Sequence, residues 1–149
     1  MYAYYNPNPT MKNREDCIIR AITKVLGLDW DAAYMQLSAK GFEVKEMPSI
    51  NWVWGAYLRD MGLERHAVPN TCPDCYTVKD FCEEHPEGAY ILATGSHVVA
   101  AIDGSYFDSW DSGDEVVVYY FEDTEADDGA WDEKKKPDEK KEAPSKATK

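Results

Sequence analysis

The order of apolar and polar positions divides the chain into a helical first half and a strand-like second half. Residues 17–27 carry apolar side chains at helical spacing, with Asp16 as the N-cap and Gly27 as the residue that ends the helix. A second helix is predicted in the same way from Asp29 to Gly41. The N-terminal third of the chain is therefore expected to be helical.

Two further helices and four strands complete the pattern. A third helix is predicted with Ser49 or Asn51 as its N-cap and Gly62 as the residue that ends it. A short fourth helix follows the cap Thr77 and ends before Pro86. The strand-like runs cover residues 89–94, 97–102, 105–110 and 115–121. This order predicts an α+β domain over residues 1–123, with N-terminal helices packed on a C-terminal antiparallel sheet.

The dipeptide Asp103-Gly104 is typical of a two-residue hairpin turn. Counting outward from it pairs Ile102 with Ser105, Ala101 with Tyr106, and His97 with Trp110. Because side chains alternate along a strand, one face carries His97, Val99, Ala101, Tyr106, Asp108 and Trp110. The hairpin thus places two polar residues, His97 and Asp108, among apolar ones.

His97 and Asp108 are diagonal neighbours in this register, about 7–8 Å apart at the backbone, a gap that their side chains can bridge. An aspartate in this position can orient an imidazole through one ring nitrogen and leave the other as a base. The alternative is a half-buried histidine that is merely satisfied by a core carboxylate.

Cys17 is the candidate nucleophile for such a pair. It follows the cap Asp16 directly, in the first helical turn, where free amides and the helix dipole favour a thiolate. Arg20, one turn later, adds positive charge. The alternative is that Cys17 is a small apolar residue of a largely apolar helix. If the three residues meet, this helix is expected to pack on the hairpin face that carries His97.

Two stretches together resemble the papain-like cysteine peptidase superfamily: "REDCIIRAI", residues 14–22, and "GSHVVAAIDGSYFDSWDS", residues 95–112. They are most similar to its compact phage and bacterial branch, which is related to bacteriocin-leader peptidases and cell-wall amidases. The resemblance covers residues 10–121 and implies a papain-like cysteine proteinase fold. It also implies that Cys17 is the nucleophile, His97 the general base and then acid, and Asp108 the orienting group.

The activity implied by the resemblance is cysteine-dependent cleavage of a peptide or amide bond through a thioester acyl-enzyme. The substrate is then a protein or peptide, and no cofactor is required. The superfamily's upstream oxyanion glutamine is absent, and Asn13, four residues before Cys17, is the nearest amide. This departure keeps open a non-catalytic binding module that retains the fold. An acyltransferase or isopeptide-deconjugating enzyme with the same triad is also open.

A second group of cysteines lies between the two stretches. Cys72 and Cys75 form a Cys-x-x-Cys pair, and Cys82 and His85 fall on one face of the fourth predicted helix. These four residues are candidate ligands of a structural zinc ion. The simpler expectation is free thiols, and a redox role lacks the usual βαβ context.

Composition limits the class of partner and the compartment. The 149-residue chain has a formal net charge of −12, which disfavours nucleic acid and points to neutral or basic substrates. No secretory signal and no apolar run of roughly 20 residues is visible, so a cytoplasmic protein without membrane contact is expected, in the host cytoplasm if phage-encoded. Residues 124–149 are rich in charge and poor in apolar side chains, which predicts a disordered tail.

Overall fold

The computed structural model describes residues 1–12, 15–70 and 73–124. Apart from its first residue, the predicted tail at 124–149 lies outside the described residues. The described chain is mixed α+β, with four helices and one six-stranded sheet. None of these helices is long and apolar enough to cross a membrane.

The four helices begin close to their predicted starts. They are α1 (Cys17–Leu26), α2 (Trp30–Val44), α3 (Asn51–Asp60) and α4 (Val78–Glu84). The Asp29 side chain caps α2 by accepting a hydrogen bond from the N–H of Ala32 at 2.7 Å. Thr77 and Asp80 form a reciprocal capping box at the start of α4.

Two predicted helix boundaries are wrong. α2 continues through Gly41, which lies inside the helix and does not end it. The glycine is needed there for close packing, because a Cβ atom would lie 2.7 Å from the carbonyl oxygen of Glu46. The helix ends at Val44, and its C-cap, Lys45, lies in the left-handed region at φ 62°. At α3 the N-cap position is Ile50, which offers no capping oxygen, instead of Ser49 or Asn51.

The sheet contains more than the predicted C-terminal strands. Its strands are β1 (Tyr2–Tyr4), β2 (Leu63–Ala67), β3 (Ala89–Ala93), β4 (Val98–Ile102), β5 (Ser105–Asp108) and β6 (Tyr119–Asp123). They lie in the order β1-β5-β4-β3-β6-β2, and all pairs are antiparallel except β1 with β5. Both edge strands, β1 and β2, come from the first half of the chain, so the sheet is not built from C-terminal strands alone. Because β1 is parallel to β5, it is a mixed sheet and not the purely antiparallel sheet that was predicted.

The predicted hairpin register is confirmed. Ile102 pairs with Ser105 and Ala101 with Tyr106 across β4 and β5. Asp103 and Gly104 both have positive φ, 49° and 80°, as a tight two-residue turn between twisted strands requires.

Helices cover both faces of the sheet. α1 belongs to a buried cluster that includes Val98 and Ala100 of β4, whereas α4 packs with Val99 and Ala101 on the other face. The expectation that α1 packs on the face of Val99 and Ala101 is therefore wrong. Strand alternation assigns residues to faces, but nothing in the hairpin sequence indicates which face a distant helix covers.

Candidate active site

Cys17 lies at the first position of α1, beside the end of the sheet where β4 begins and β5 ends. The thiol is half-buried and faces a cavity of about 150 Å³. The walls of this cavity include Asn51, Trp54 and the loop between β3 and β4. Helix and sheet therefore converge on the sulfur, and open space remains beside it.

His97 is held in the loop that leads into β4. Its backbone carbonyl accepts hydrogen bonds from the N–H of Thr94 at 2.8 Å and from the Thr94 hydroxyl at 3.1 Å. Its Nε2 bonds to Oδ2 of Asp108 at 2.5 Å, and the Cys17 thiol is its other hydrogen-bond partner. Because Nε2 is bonded to the carboxylate, Nδ1 is the ring nitrogen left to interact with the thiol.

The protonation equilibria of Cys17 and His97 are shifted in opposite directions. Burial favours the neutral thiol, but the hydrogen bond and the charge of His97 outweigh it and lower the pKa of Cys17. The N–H of Val98 also stabilises the thiolate. Burial likewise opposes the imidazolium, yet Asp108 and Cys17 raise the pKa of His97 to about 9. Both shifts favour the thiolate–imidazolium form of the pair over its neutral form.

Asp108 is the most completely bonded group of the site. Only 1% of it is exposed, and Oδ2 accepts the Ser112 hydroxyl at 2.7 Å in addition to His97. Oδ1 accepts the N–H of Ser109 at 2.8 Å. Burial would raise the pKa of Asp108, but its hydrogen bonds to His97 and Ser112 lower it. The carboxylate is thus fixed in its ionised form.

Arg20 joins α1 to the strand that carries Asp108. This arginine is 3% exposed, and its guanidinium lies 2.7 Å from Asp16 Oδ1 and 3.3 Å from Asp108 Oδ1. The sequence indicated only a general electrostatic role for Arg20. Neither bridge was predicted, and the i,i+4 spacing from Asp16 is the signal by which the first could have been found.

Asp16 occupies the predicted N-cap position of α1, but its side chain makes no capping hydrogen bond. Its carboxylate instead accepts hydrogen bonds from Arg20, from Trp30 Nε1 at 3.0 Å and from Asn8 Nδ2 at 3.2 Å. The first-turn N–H groups of α1, including that of Cys17, are therefore not taken up by the Asp16 side chain.

Trp110 covers one side of the imidazole, as the hairpin register predicts. Its ring centroid lies 4.9 Å from that of His97, and Trp110 is 45% exposed. An apolar ring in this place limits the access of water to the bond between His97 and Asp108.

The oxyanion donor predicted at Asn13 lies outside the described residues. A different side-chain amide, that of Asn51 at the start of α3, lines the cavity together with Cys17. Its Oδ1 accepts the indole N–H of Trp54 at 3.2 Å, which leaves Nδ2 as a donor. The sequence singled out Asn51 only as a helix cap, because a link between α3 and Cys17 exists only in three dimensions.

Among the described residues, the candidate zinc ligands do not form a metal-binding cluster. Cys72 lies outside the described residues, Cys75 is exposed, and Cys82 is buried. His85 stacks on Phe81, and its Nδ1 meets the Phe81 carbonyl oxygen at 2.9 Å. Within residues 1–12, 15–70 and 73–124, no group of three or more Cys, His, Asp or Glu side chains is placed to hold a metal ion. A zinc site that includes Cys72 stays a prediction.

Comparison of the chain with protein-family models, with curated proteins and with solved structures finds no match in any of the three.

Proposed function

We propose that the protein is a cysteine-dependent hydrolase with a papain-like arrangement, which cleaves a peptide or amide bond through a thioester acyl-enzyme. One observation carries this proposal. A thiol at a helix N-terminus is hydrogen-bonded to an imidazole whose second nitrogen is held by a buried carboxylate, and the thiol faces a cavity. These are the parts that activated cysteine nucleophiles require.

In the acylation step the Cys17 thiolate attacks the carbonyl carbon, and the electron pair of the C=O bond moves to oxygen. The backbone N–H of Cys17 and Nδ2 of Asn51 are the proposed donors to this oxyanion. When the C=O bond reforms, the C–N bond breaks and the imidazolium of His97 donates its proton to the leaving amine. A thioester on Cys17 and a neutral His97 result.

Deacylation reverses the roles. Neutral His97 takes a proton from water, the resulting hydroxide attacks the thioester, and Cys17 leaves as a thiolate. The carboxylic acid product departs, and the thiolate–imidazolium pair is restored. Asp108 stays ionised throughout and keeps the ring oriented and its positive charge stabilised.

The arrangement favours a hydrolase over a binding module that merely retains the fold. A non-catalytic module predicts a closed surface over Cys17 or a separation from His97 too large for proton transfer. Here Cys17 faces a cavity and is hydrogen-bonded to His97, so neither feature of a non-catalytic module is present at this site. An acyltransferase would use the same acylation step and differ only in the group that accepts the acyl chain.

Alkylation with iodoacetamide at about pH 6 tests the proposal, because an ordinary thiol with a pKa near 8.5 is almost entirely protonated there. Wild-type protein is expected to be alkylated fast at Cys17, identified by peptide mapping. Cys17→Ala removes this label and His97→Ala slows it strongly. Cys75→Ser, a matched loss of an exposed thiol, leaves the Cys17 label in place. Equal labelling of wild type, Cys17→Ala and His97→Ala would contradict the proposal.

A further inference from the structure

A groove lined by two arginines lies next to the Cys17 cavity. We call it the arginine groove; it has a volume of about 210 Å³, and its walls include Trp52, Arg59, Arg65, Tyr119 and Phe121. Asn51 lines both the groove and the Cys17 cavity, so the two spaces adjoin at the start of α3. An extended peptide that passes over Cys17 has a route into the groove.

Aromatic rings position both guanidinium groups. The guanidinium carbon of Arg65 lies 4.2 Å from the ring centroid of Tyr119, and that of Arg59 lies 5.9 Å from the ring centroid of Phe121. Tyr119 is in turn stacked on buried Trp54 at 6.0 Å. A guanidinium whose face lies on a ring keeps its N–H edge available for an anion.

Neither arginine is neutralised by the described part of the protein. Within residues 1–12, 15–70 and 73–124, Arg59 and Arg65 form no ion pair with a carboxylate. Strand alternation turns Glu122 away from Phe121, to the other face of the sheet, where it pairs with His66. Two adjacent unpaired arginines are unexpected in a chain with a formal net charge of −12.

We propose that the arginine groove is a substrate subsite that binds a carboxylate of the peptide, close to the scissile bond. This inference rests on the proposed hydrolase function. The carboxylate belongs either to an Asp or Glu side chain or to the C-terminus of the peptide, and the forked N–H edge of a guanidinium matches it in both cases. The indole of Trp52, 52% exposed, provides an apolar wall for the stem of the bound residue.

The subsite gives a local preference that differs from the preference suggested by the net charge. The acidic surface as a whole favours neutral or basic substrates, whereas the two arginines favour a negative group at one place beside the thiol. Specificity of this kind depends on one position of the peptide and not on its total charge.

Two series of thiol-directed peptides test the proposal, since their contacts extend to opposite sides of Cys17. Peptidyl vinyl sulfones extend to one side, and N-chloroacetyl peptides, from which the thiolate displaces chloride, extend to the other. In each series one Glu, or the uncharged Gln in its place, is moved along an otherwise alanine peptide. A third arm compares a free C-terminal carboxylate with a carboxamide in the N-chloroacetyl series.

The expected result is a Glu peptide, or a free-carboxylate peptide, that inactivates Cys17 about tenfold to a hundredfold faster than its uncharged partner. In the double variant Arg59→Gln/Arg65→Gln this ratio falls to about one. Arg65→Glu lowers the ratio further and favours a Lys peptide. The ratio within one protein cancels any change in the reactivity of the thiol itself.

The single variant Arg65→Gln is expected to lower the ratio part of the way toward one, and Lys24→Gln is its matched control. Lys24 also rests on aromatic rings, those of Tyr5 and Phe107, but it lies by β5, near the edge of the sheet opposite to β2. The Lys24→Gln substitution removes one positive charge, as Arg65→Gln does, and the Glu-to-Gln ratio is expected to stay at the wild-type value. A ratio that falls equally in Lys24→Gln and in the arginine variants overturns the assignment to the groove.

Iodoacetamide, which is small and neutral, separates failure of this inference from failure of the proposed function. Fast alkylation of Cys17 together with a Glu-to-Gln ratio near one at every position overturns the subsite alone. Retention of a high ratio in the double arginine variant also overturns it. If iodoacetamide alkylates Cys17 no faster than exposed Cys75, the hydrolase proposal is overturned, and the subsite with it.

Discussion

The protein contains two cysteine–histidine neighbourhoods, and they differ in almost every property that governs reactivity. Cys17 is hydrogen-bonded to His97 at the edge of a cavity, and the pKa of this thiol is lowered. Cys82 precedes His85 by three residues at the end of α4, is buried, and has its pKa raised by that burial. The second pair has the residue types of the first without its chemistry.

The difference originates in what surrounds each histidine. His97 is bonded to the buried carboxylate of Asp108, which stabilises its positive charge. His85 lies face to face with Phe81, at 3.8 Å between ring centroids, and its Nδ1 meets a backbone carbonyl. Both regions contain a cysteine and a histidine. The carboxylate that is hydrogen-bonded to His97 therefore distinguishes the candidate active site from the packed core around His85.

Asp108→Asn removes that distinction and carries the largest expected effect. An amide cannot balance the imidazolium, so the pKa of His97 is expected to fall from about 9 and the proposed hydrolysis to slow by about 10³- to 10⁴-fold. Turnover of a cleaved peptide and NMR titration of His97 measure the two effects. Asp111→Asn, three residues along and bonded to Tyr106, is the matched control and is expected to alter turnover little. Similar losses in both variants would contradict the role of Asp108.

Arg20→Met tests the buried charges that only the Cys17 neighbourhood contains. It leaves Asp16 and Asp108 without their shared cation, and we expect the free energy of unfolding to fall by about 3–5 kcal/mol. Urea unfolding measures the change. Lys24→Met, on the same helix, is the control and is expected to change stability by no more than about 1 kcal/mol. A loss for Arg20→Met as small as that of the control would show that the bridge contributes little.

The pH dependence sharpens the contrast between the two thiols. The proposed hydrolysis needs the Cys17 thiolate and the His97 imidazolium, so its rate is expected to fall as pH drops through the lowered pKa of Cys17 and as pH rises through about 9. Because the pKa of His97 is raised above its unfolded value of 6.5, its contribution to stability is complete below that pH and is lost as pH rises through about 9. A pH–rate profile for Cys17 that rises only near the pKa of an ordinary thiol would be inconsistent with the ion pair.

Cys82→Ala carries the smallest expected effect. It removes a buried sulfur from the cluster on the α4 face, which costs about 1 kcal/mol of stability and leaves the alkylation rate of Cys17 unchanged. Urea unfolding and iodoacetamide kinetics measure these quantities. A decrease in the Cys17 rate comparable to that in His97→Ala would break the separation between the two neighbourhoods.

Local signals were sufficient for much of the fold. The Asp103-Gly104 turn determined the register of its hairpin, and the capping oxygens of Asp29 and Thr77 marked two helix starts. The short edge strands were missed for physical reasons. β1 has only three residues, and β2, "LERHA", is mostly exposed and polar, so neither shows the alternation of a half-buried strand.

The parts of the site that the sequence did not predict depend on contacts between distant segments. His97 and Asp108 could be paired because one short turn joins their strands. Asn51 and the second contact of Arg20 had no such local link, since helix packing alone brings α3 to Cys17 and α1 to Asp108. The face that α1 covers was predicted wrongly for the same reason.

The contact between Arg20 and Asp108 joins residues 88 positions apart in the chain. The environment of Cys17 therefore exists only after the first helix has docked on the late hairpin. Most buried thiols react faster when a protein unfolds, as is expected of Cys82. In mildly acidic solution Cys17 should do the reverse, because unfolding returns its lowered pKa to the range of an ordinary thiol. The alkylation rate of Cys17 therefore reports on the native state, and it is expected to decrease as the chain unfolds.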